Sequence, residues 1–170
     1  MTEPPAIFYL ARHAPADWSA DAVDPPLSAQ GWAQARRMAA RCAHLPISRV
    51  VTSPLRRARQ TASLLAEAHH CPVQEEAHLQ ELGTSEFRPD FEQRVERWLQ
   101  TCPPPPAGTL WVSHGGFLNV VLSTWRVRVP QPSVPRDRHG SLLAPGEVWA
   151  LDAFGAGALA WRIIDVGEDR

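Results

Sequence analysis

The sequence predicts an α/β protein of three layers, a mostly parallel central sheet held between helices and finished by a C-terminal hairpin. Short apolar runs rich in β-branched and aromatic residues (Ile7–Leu10, RVVT at 49–52, TLWV at 109–112) alternate with longer stretches whose apolar residues recur every three or four positions. The last two apolar runs, EVWALDA (147–153) and ALAWRIIDV (158–166), are separated only by a glycine-bearing FGAG, the pattern of an antiparallel pair.

Taken in order, Ile7–Leu10 reads as a strand covered on both faces. After the loop through Asp24, Pro25 and Pro26, residues 28–45 open with Ser28 as an N-cap and carry Trp32, Ala35, Met38, Ala39 and Cys42 at helical spacing. RVVTSP (49–54) supplies the next strand, and LRRARQTASLLAEAHH (55–70) the next helix, with Ser53 and Pro54 expected as its N-cap and first helical residue. A short strand is expected near Val73, and a helix over 90–100 with Phe91, Val95, Trp98 and Leu99 inward. Beyond the prolines at 103–106, TLWVSHGG (109–116) predicts a strand ending at His114, followed by an apolar helix from Phe117 to about Trp125.

A length of 170 residues with 44% apolar content fits one domain, residues 1–170, around a single core. The formal net charge of -1 provides no global field for nucleic acid or an anionic membrane, so any anion affinity must be local. Cys42, Cys71 and Cys102 are odd in number and widely spaced, which predicts reduced thiols rather than a disulfide framework or thiolate metal site. The histidines show no H-x-H or H-E-x-x-H spacing, and the adjacent His69 and His70 are expected to cap a helix end or face solvent. MTEPPAIFYLAR carries no basic leader and no run reaches the roughly 18 apolar residues of a membrane span, so a cytoplasmic protein is expected. Most of the seven tryptophans are expected in the core; Trp18, on the loop after His13, is placed at the substrate entrance.

Parallel strands between crossover helices put their carboxyl ends on one edge, where ligands bind. Three such ends deliver Arg12 with His13, the Ser53–Arg57 turn, and His114 with Gly115 and Gly116. Arg56, Arg57 and Arg59 crowd the first turns of a helix, where the macrodipole is already positive; a bound anion reverses the sign of that interaction. Arg57 reads as the phosphate ligand, and Arg56 and Arg59 as solvated. A neutral imidazole can attack phosphorus, and cations around the transferred oxygens stabilise the transition state. Arg12, Arg57 and a protonated His114 would supply that charge with no metal or cofactor, while Gly115 and Gly116 let backbone approach the phosphate.

The segments ARHA, DPPLSAQGWAQA, TSPLRRARQTA, LQEL and VSHGG, in this order and at these intervals, resemble the histidine phosphatase superfamily, which includes the cofactor-dependent phosphoglycerate mutases. The resemblance runs to about residue 125. It implies His13 as the phosphorylated nucleophile, Arg12, Arg57 and His114 as the phosphate pocket, Ser19 as a further phosphate contact, and Glu81 as the proton donor. Two positions depart from the family pattern: Ala14 stands where glycine is usual, and LGTSEF lets Glu86 compete with Glu81.

About thirty residues separate Glu81 from His114, little material for a lid that would shield a phosphoenzyme from water. The expected activity is therefore that of a metal-independent phosphoric monoester hydrolase of the histidine acid phosphatase type. Its partner would be a small phosphorylated substrate or a phosphoprotein side chain such as phosphohistidine. The alternatives are phosphoglycerate mutase-type transfer and a non-catalytic phosphate-binding regulatory module. The charges of SVPRDRHG (133–140), Arg136, Arg138 and His139, read as solvated, at the edge of reach of the pocket rim.

Overall fold

The computed structural model describes residues 6–128 and 140–152, and the backbone of 159–164. Arg136, Arg138 and His139 lie outside the described residues. The order is β1 (Ile7–Arg12), α1 (Ala29–Cys42), β2 (Arg49–Thr52), α2 (Arg56–His69), β3 (Val73–Glu75), a 3-10 turn at Ala77–Leu79, α3 (Arg88–Thr101), β4 (Thr109–Ser113), α4 (Gly115–Thr124), β5 (Val148–Asp152) and β6 (Leu159–Ile164). The strands form one sheet in the order β3-β2-β4-β1-β5-β6. β3, β2, β4 and β1 are mutually parallel; β5 and β6 add as the antiparallel pair predicted at the C-terminal end.

The alternation of side chains along a strand divides the core in two. Phe8, Leu10 and Trp111 point into a cluster with Phe91, Val95 and Leu99 of α3 and Phe117, Leu118 and Val121 of α4. Tyr9, Ala11, Leu110 and Val112 point the other way, onto Met38 and Cys42 of α1 and Ala58, Ala62 and Leu65 of α2. Central strands β1 and β4 are thus apolar on both faces, as their unbroken hydrophobic runs require. Trp111 and Trp149 are buried in this core; Trp98 and Trp125 pack at its margin.

The local signals mostly operate as the sequence indicates. Ser28 caps α1, its hydroxyl accepting the Gly31 N–H at 3.0 Å. His70 ends α2 with φ of 50°, its N–H shared between the carbonyls of Ala66 and Glu67. Several boundaries differ, two of them helix starts at the site's edge. α4 starts at Gly115, two residues earlier than its apolar periodicity suggests. Ser53 does not cap α2: the helix starts at Arg56 after Leu55, and Asp24, 32 residues away in the chain, accepts the Arg56 N–H at 2.8 Å. The orphan donors of a helix start need an acceptor, and here a tertiary contact provides it. Among the described residues no helix is long and apolar enough to cross a membrane.

Phe8 has no exposed surface and packs edge-on against Trp125 with ring centroids 5.7 Å apart. Phe8→Ala should lower unfolding free energy by about 3–5 kcal/mol, read from urea denaturation with an unchanged m-value.

Candidate active site

β1, β4 and β2 are neighbours, and backbone pairing continues one residue past their carboxyl ends. The His13 N–H donates to the Ser113 carbonyl (3.0 Å) and the Ser53 N–H to the Val112 carbonyl (3.0 Å). His13 and Ser53 are thereby fixed on either side of the β4 terminus, where His114 follows. The imidazoles of His13 and His114 lie with centroids 5.0 Å apart, and the Ser53 hydroxyl sits 2.8 Å from His114 Nε2.

Arg57 comes in from the first turn of α2. Its Nε donates to His13 Nε2 at 3.2 Å, while His13 Nδ1 lies 2.7 Å from the Ala14 carbonyl. These partners assign the tautomer: Nδ1 carries the proton and Nε2 keeps the lone pair. His13, Arg57 and His114 are all buried. Arg57 Nη1 and His114 Nδ1 are also buried and have no hydrogen-bond partner among the described residues. Nη1 comes only within 4.0 Å of Asp24 Oδ1.

The other expected residues divide into those that join this cluster and those that do not. Arg12 ends β1 with Nη1 on the Leu143 carbonyl (2.9 Å), and a Cβ on Gly115 would stand 3.1 Å from its guanidinium carbon. Glu81 takes the N–H groups of Gly116 (2.8 Å) and Leu82 (3.0 Å) on its carboxylate; a Cβ on Gly116 would lie 2.9 Å from Cδ of Glu81. The two glycines at the start of α4 therefore admit Arg12 and Glu81 beside His114. Glu86 is held elsewhere, in a two-pronged pair with Arg94 Nε (2.9 Å) and Nη2 (3.1 Å). Ser19 lies exposed on its turn, and its hydroxyl donates to Asp17 Oδ1 at 2.5 Å; no described contact joins it to the cluster. Ala14 is fully buried against Leu27 and Ala35, so the methyl in the usual glycine position has a packed place.

A family model for the histidine phosphatase superfamily (branch 1) matches residues 8–93, a span that runs from β1 through Glu81 into α3. A probable phosphoglycerate mutase of Citrobacter koseri is 32% identical to the chain, over 86% of this chain and 91% of its own length. The chain belongs to the histidine phosphatase superfamily. Solved structures agree in fold. A candidate alpha-ribazole-5'-P phosphatase of Escherichia coli K-12 superposes with a TM-score of 0.71 at 21% identity, covering 95% of this chain and 97% of that one. A mycobacterial glucosyl-3-phosphoglycerate phosphatase gives 0.65 at 17%, covering 94% and 98%. The named proteins similar to this superfamily member thus include both a mutase and, among structures alike in fold, phosphatases.

Electrostatically the cluster is crowded with potential cations. Burial first, then the charges of Arg57 and Arg12, lower the His13 pKa to about 3, against an opposing pull from the Ala14 carbonyl. Burial, His13 and the same two guanidiniums hold His114 well below the ordinary imidazole range. The protonated His114 expected from sequence is accordingly disfavoured in this environment: two arginines and a second imidazole oppose a further positive charge. Arg57 is itself lowered by burial, with Asp24 and Glu81 acting in the other direction.

Three supporting residues escape a reading by motif alone. Ser53 carries a cap signal, yet its hydroxyl faces His114. Thr61, inside RQTA, donates its hydroxyl to the Arg57 carbonyl (2.8 Å) and accepts the Ala14 N–H (3.1 Å), tying α2 to the loop behind His13. Asp24 lies in a proline turn and serves the start of α2. In each case one partner is more than thirty residues away in sequence, and local periodicity carries no such information.

Two outcomes follow from this geometry. Ser53→Ala removes the partner of a buried imidazole nitrogen, so unfolding free energy should fall by about 1–3 kcal/mol in chemical denaturation. The native state holds His13 and His114 neutral while the unfolded chain protonates them below about pH 6.5. Stability contributed this way is complete above that pH and declines as pH falls toward 3, so denaturant midpoints should drop from pH 7 to pH 5, with a shallower slope in His13→Gln.

Proposed function

We propose that this histidine phosphatase is a metal-independent phosphatase that hydrolyses phosphomonoesters through a phosphohistidine on His13. The observation that carries the reading is the buried His13 Nε2, unprotonated and 3.2 Å from the Arg57 guanidinium, with His114 and Arg12 around it. Nε2 attacks phosphorus, the ester P–O bond breaks, and the N–P bond forms. Glu81 gives its proton to the departing alkoxide. In the second half Glu81 takes a proton from water as the water oxygen attacks phosphorus, the N–P bond breaks and phosphate leaves with His13 restored.

Arg12, Arg57 and His114 face the charge that spreads over the phosphoryl oxygens. A dianion among them turns their mutual repulsion into attraction and raises the His114 pKa toward the form that donates a proton. This arrangement supplies positive charge from side chains alone, so neither a metal ion nor an organic cofactor enters the scheme. Glu81 is better placed than Glu86, whose carboxylate is committed to Arg94.

Hydrolysis is favoured over mutase-type retransfer because the chain between Glu81 and His114 is engaged in the core: Phe91, Val95 and Leu99 of α3 are buried against α4 and the sheet. A helix anchored this way makes a poor lid, and water reaches the phosphoenzyme. The mutase reading draws on the name of the Citrobacter koseri relative. A cytoplasmic enzyme acting on a small phosphomonoester or a phosphorylated protein side chain is the setting that fits.

With an aryl phosphate, wild-type protein should release phosphate in the presence of a chelator, and His13→Ala should abolish release. Glu81→Gln should lower kcat by about 100-fold or more, while Glu86→Gln stays within about threefold. Efficient isomerisation of 3-phosphoglycerate with bisphosphoglycerate would overturn the phosphatase reading, and undiminished turnover by His13→Ala would overturn the nucleophile. Stoichiometric phosphate binding with no turnover of any substrate in a broad panel would leave the regulatory module.

A further inference from the structure

Trp18 is 58% exposed, and single exposed apolar residues are common on protein surfaces. This one differs in what it touches. The Arg57 guanidinium carbon lies 5.2 Å from its ring centroid, within cation–π range, and the same guanidinium donates to His13 Nε2. One side chain therefore separates an open indole surface from the reacting nitrogen.

The loop that carries Trp18 is pinned on both sides. Asp17 donates its N–H to the Pro26 carbonyl (2.8 Å), Ala16 and Leu27 form an isolated bridge, and Asp17 Oδ1 accepts from the Ser19 N–H (3.0 Å) and hydroxyl. The indole is presented by a fixed turn, so a ligand that uses it pays little ordering entropy. Two more exposed apolar side chains, Val23 and Phe87, sit on loops that leave the same carboxyl edge of the sheet. A phosphoryl group held by the buried cluster must project its alcohol outward, past this rim.

We propose that Trp18 is a specificity-determining residue whose open indole face stacks on the leaving group, selecting phosphomonoesters of planar aromatic or heteroaromatic alcohols over those of small polyols. This rests on the reading of the site as a phosphoryl-transfer centre. Stacking needs no hydrogen-bond partner and tolerates many rings, so the selection is for ring character rather than for one compound. The competing account is that Trp18 only braces Arg57, in which case its loss would weaken every phosphorylated ligand alike.

Calorimetric binding of phenylphosphonate and methylphosphonate to wild type, Trp18→Ala and Trp18→Phe separates these accounts without relying on turnover. Wild type should bind phenylphosphonate the more tightly; Trp18→Ala should weaken it roughly tenfold while changing methylphosphonate by less than about twofold, and Trp18→Phe should recover most of the loss. In parallel, kcat/KM for 1-naphthyl phosphate should fall in Trp18→Ala mainly through KM, with glycerol 2-phosphate little altered. Equal losses on both ligands, no loss on either, or binding of neither overturns the proposal. Hydrolysis retained in His13→Ala would instead sink the phosphohistidine reading, whatever the phosphonates show about Trp18.

Discussion

Two imidazoles and two guanidiniums are forced into one small, largely buried volume, and the backbone pairing of three parallel strands is what forces them. The hydrogen bonds from His13 to the Ser113 carbonyl and from Ser53 to the Val112 carbonyl carry the ladder past the ends of β1 and β2. They leave the side chains at those ends no choice of neighbour. Side-chain positions in a parallel sheet alternate with a strict period, so a register slip of one residue would send His13 and Arg12 to opposite faces from those they now occupy. The apolar content of the central strands resists that slip, since Phe8 and Leu10 would exchange cores with Tyr9 and Ala11. Core packing and site geometry are thus one constraint.

The cluster is unfavourable to itself and favourable to a dianion. Burial and like charge keep both histidines neutral, which leaves His13 Nε2 unprotonated, and the Ala14 carbonyl fixes the tautomer that points its lone pair at Arg57. Strain of this kind persists only where the surroundings hold the groups rigidly. Here the holding is distributed: Thr61 ties α2 to the loop after His13, Asp24 caps α2 from a distance, Ser53 engages His114, and Leu143 fixes Arg12. None of these four need contact a substrate to matter for it.

Close approach also depends on what is missing from side chains. Gly115 and Gly116 begin α4, and a methyl would collide with Ser141 and crowd Arg12 at the first, or collide with the Glu81 carboxylate at the second. A third glycine, Gly31, lets the first turn of α1 press against the Pro15 carbonyl, which seats the loop carrying Ala14. Ala14 shows the converse: where family members usually have glycine, a small pocket formed by Leu27 and Ala35 accepts the methyl.

The fold class, the alternation of strands and helices, the antiparallel pair at the end and the motif residues could all be read along the chain, because they rest on local periodicity and on short segments whose spacing is distinctive. His13, Arg57, His114, Arg12 and Glu81 can be named that way, whereas the pairing of Glu86 with Arg94 exists only in the folded chain. Ser53 has the local context of a helix cap, and its hydroxyl accepts the Leu55 N–H, but it also meets His114, just past the end of β4. Likewise the neutrality of His114 depends on how much water and how many cations surround it, which no linear pattern encodes. The sequence by itself determined which chemical groups are present and which elements carry them; the tertiary structure decided their distances, burial and protonation, because those arise from contacts between residues remote in the chain.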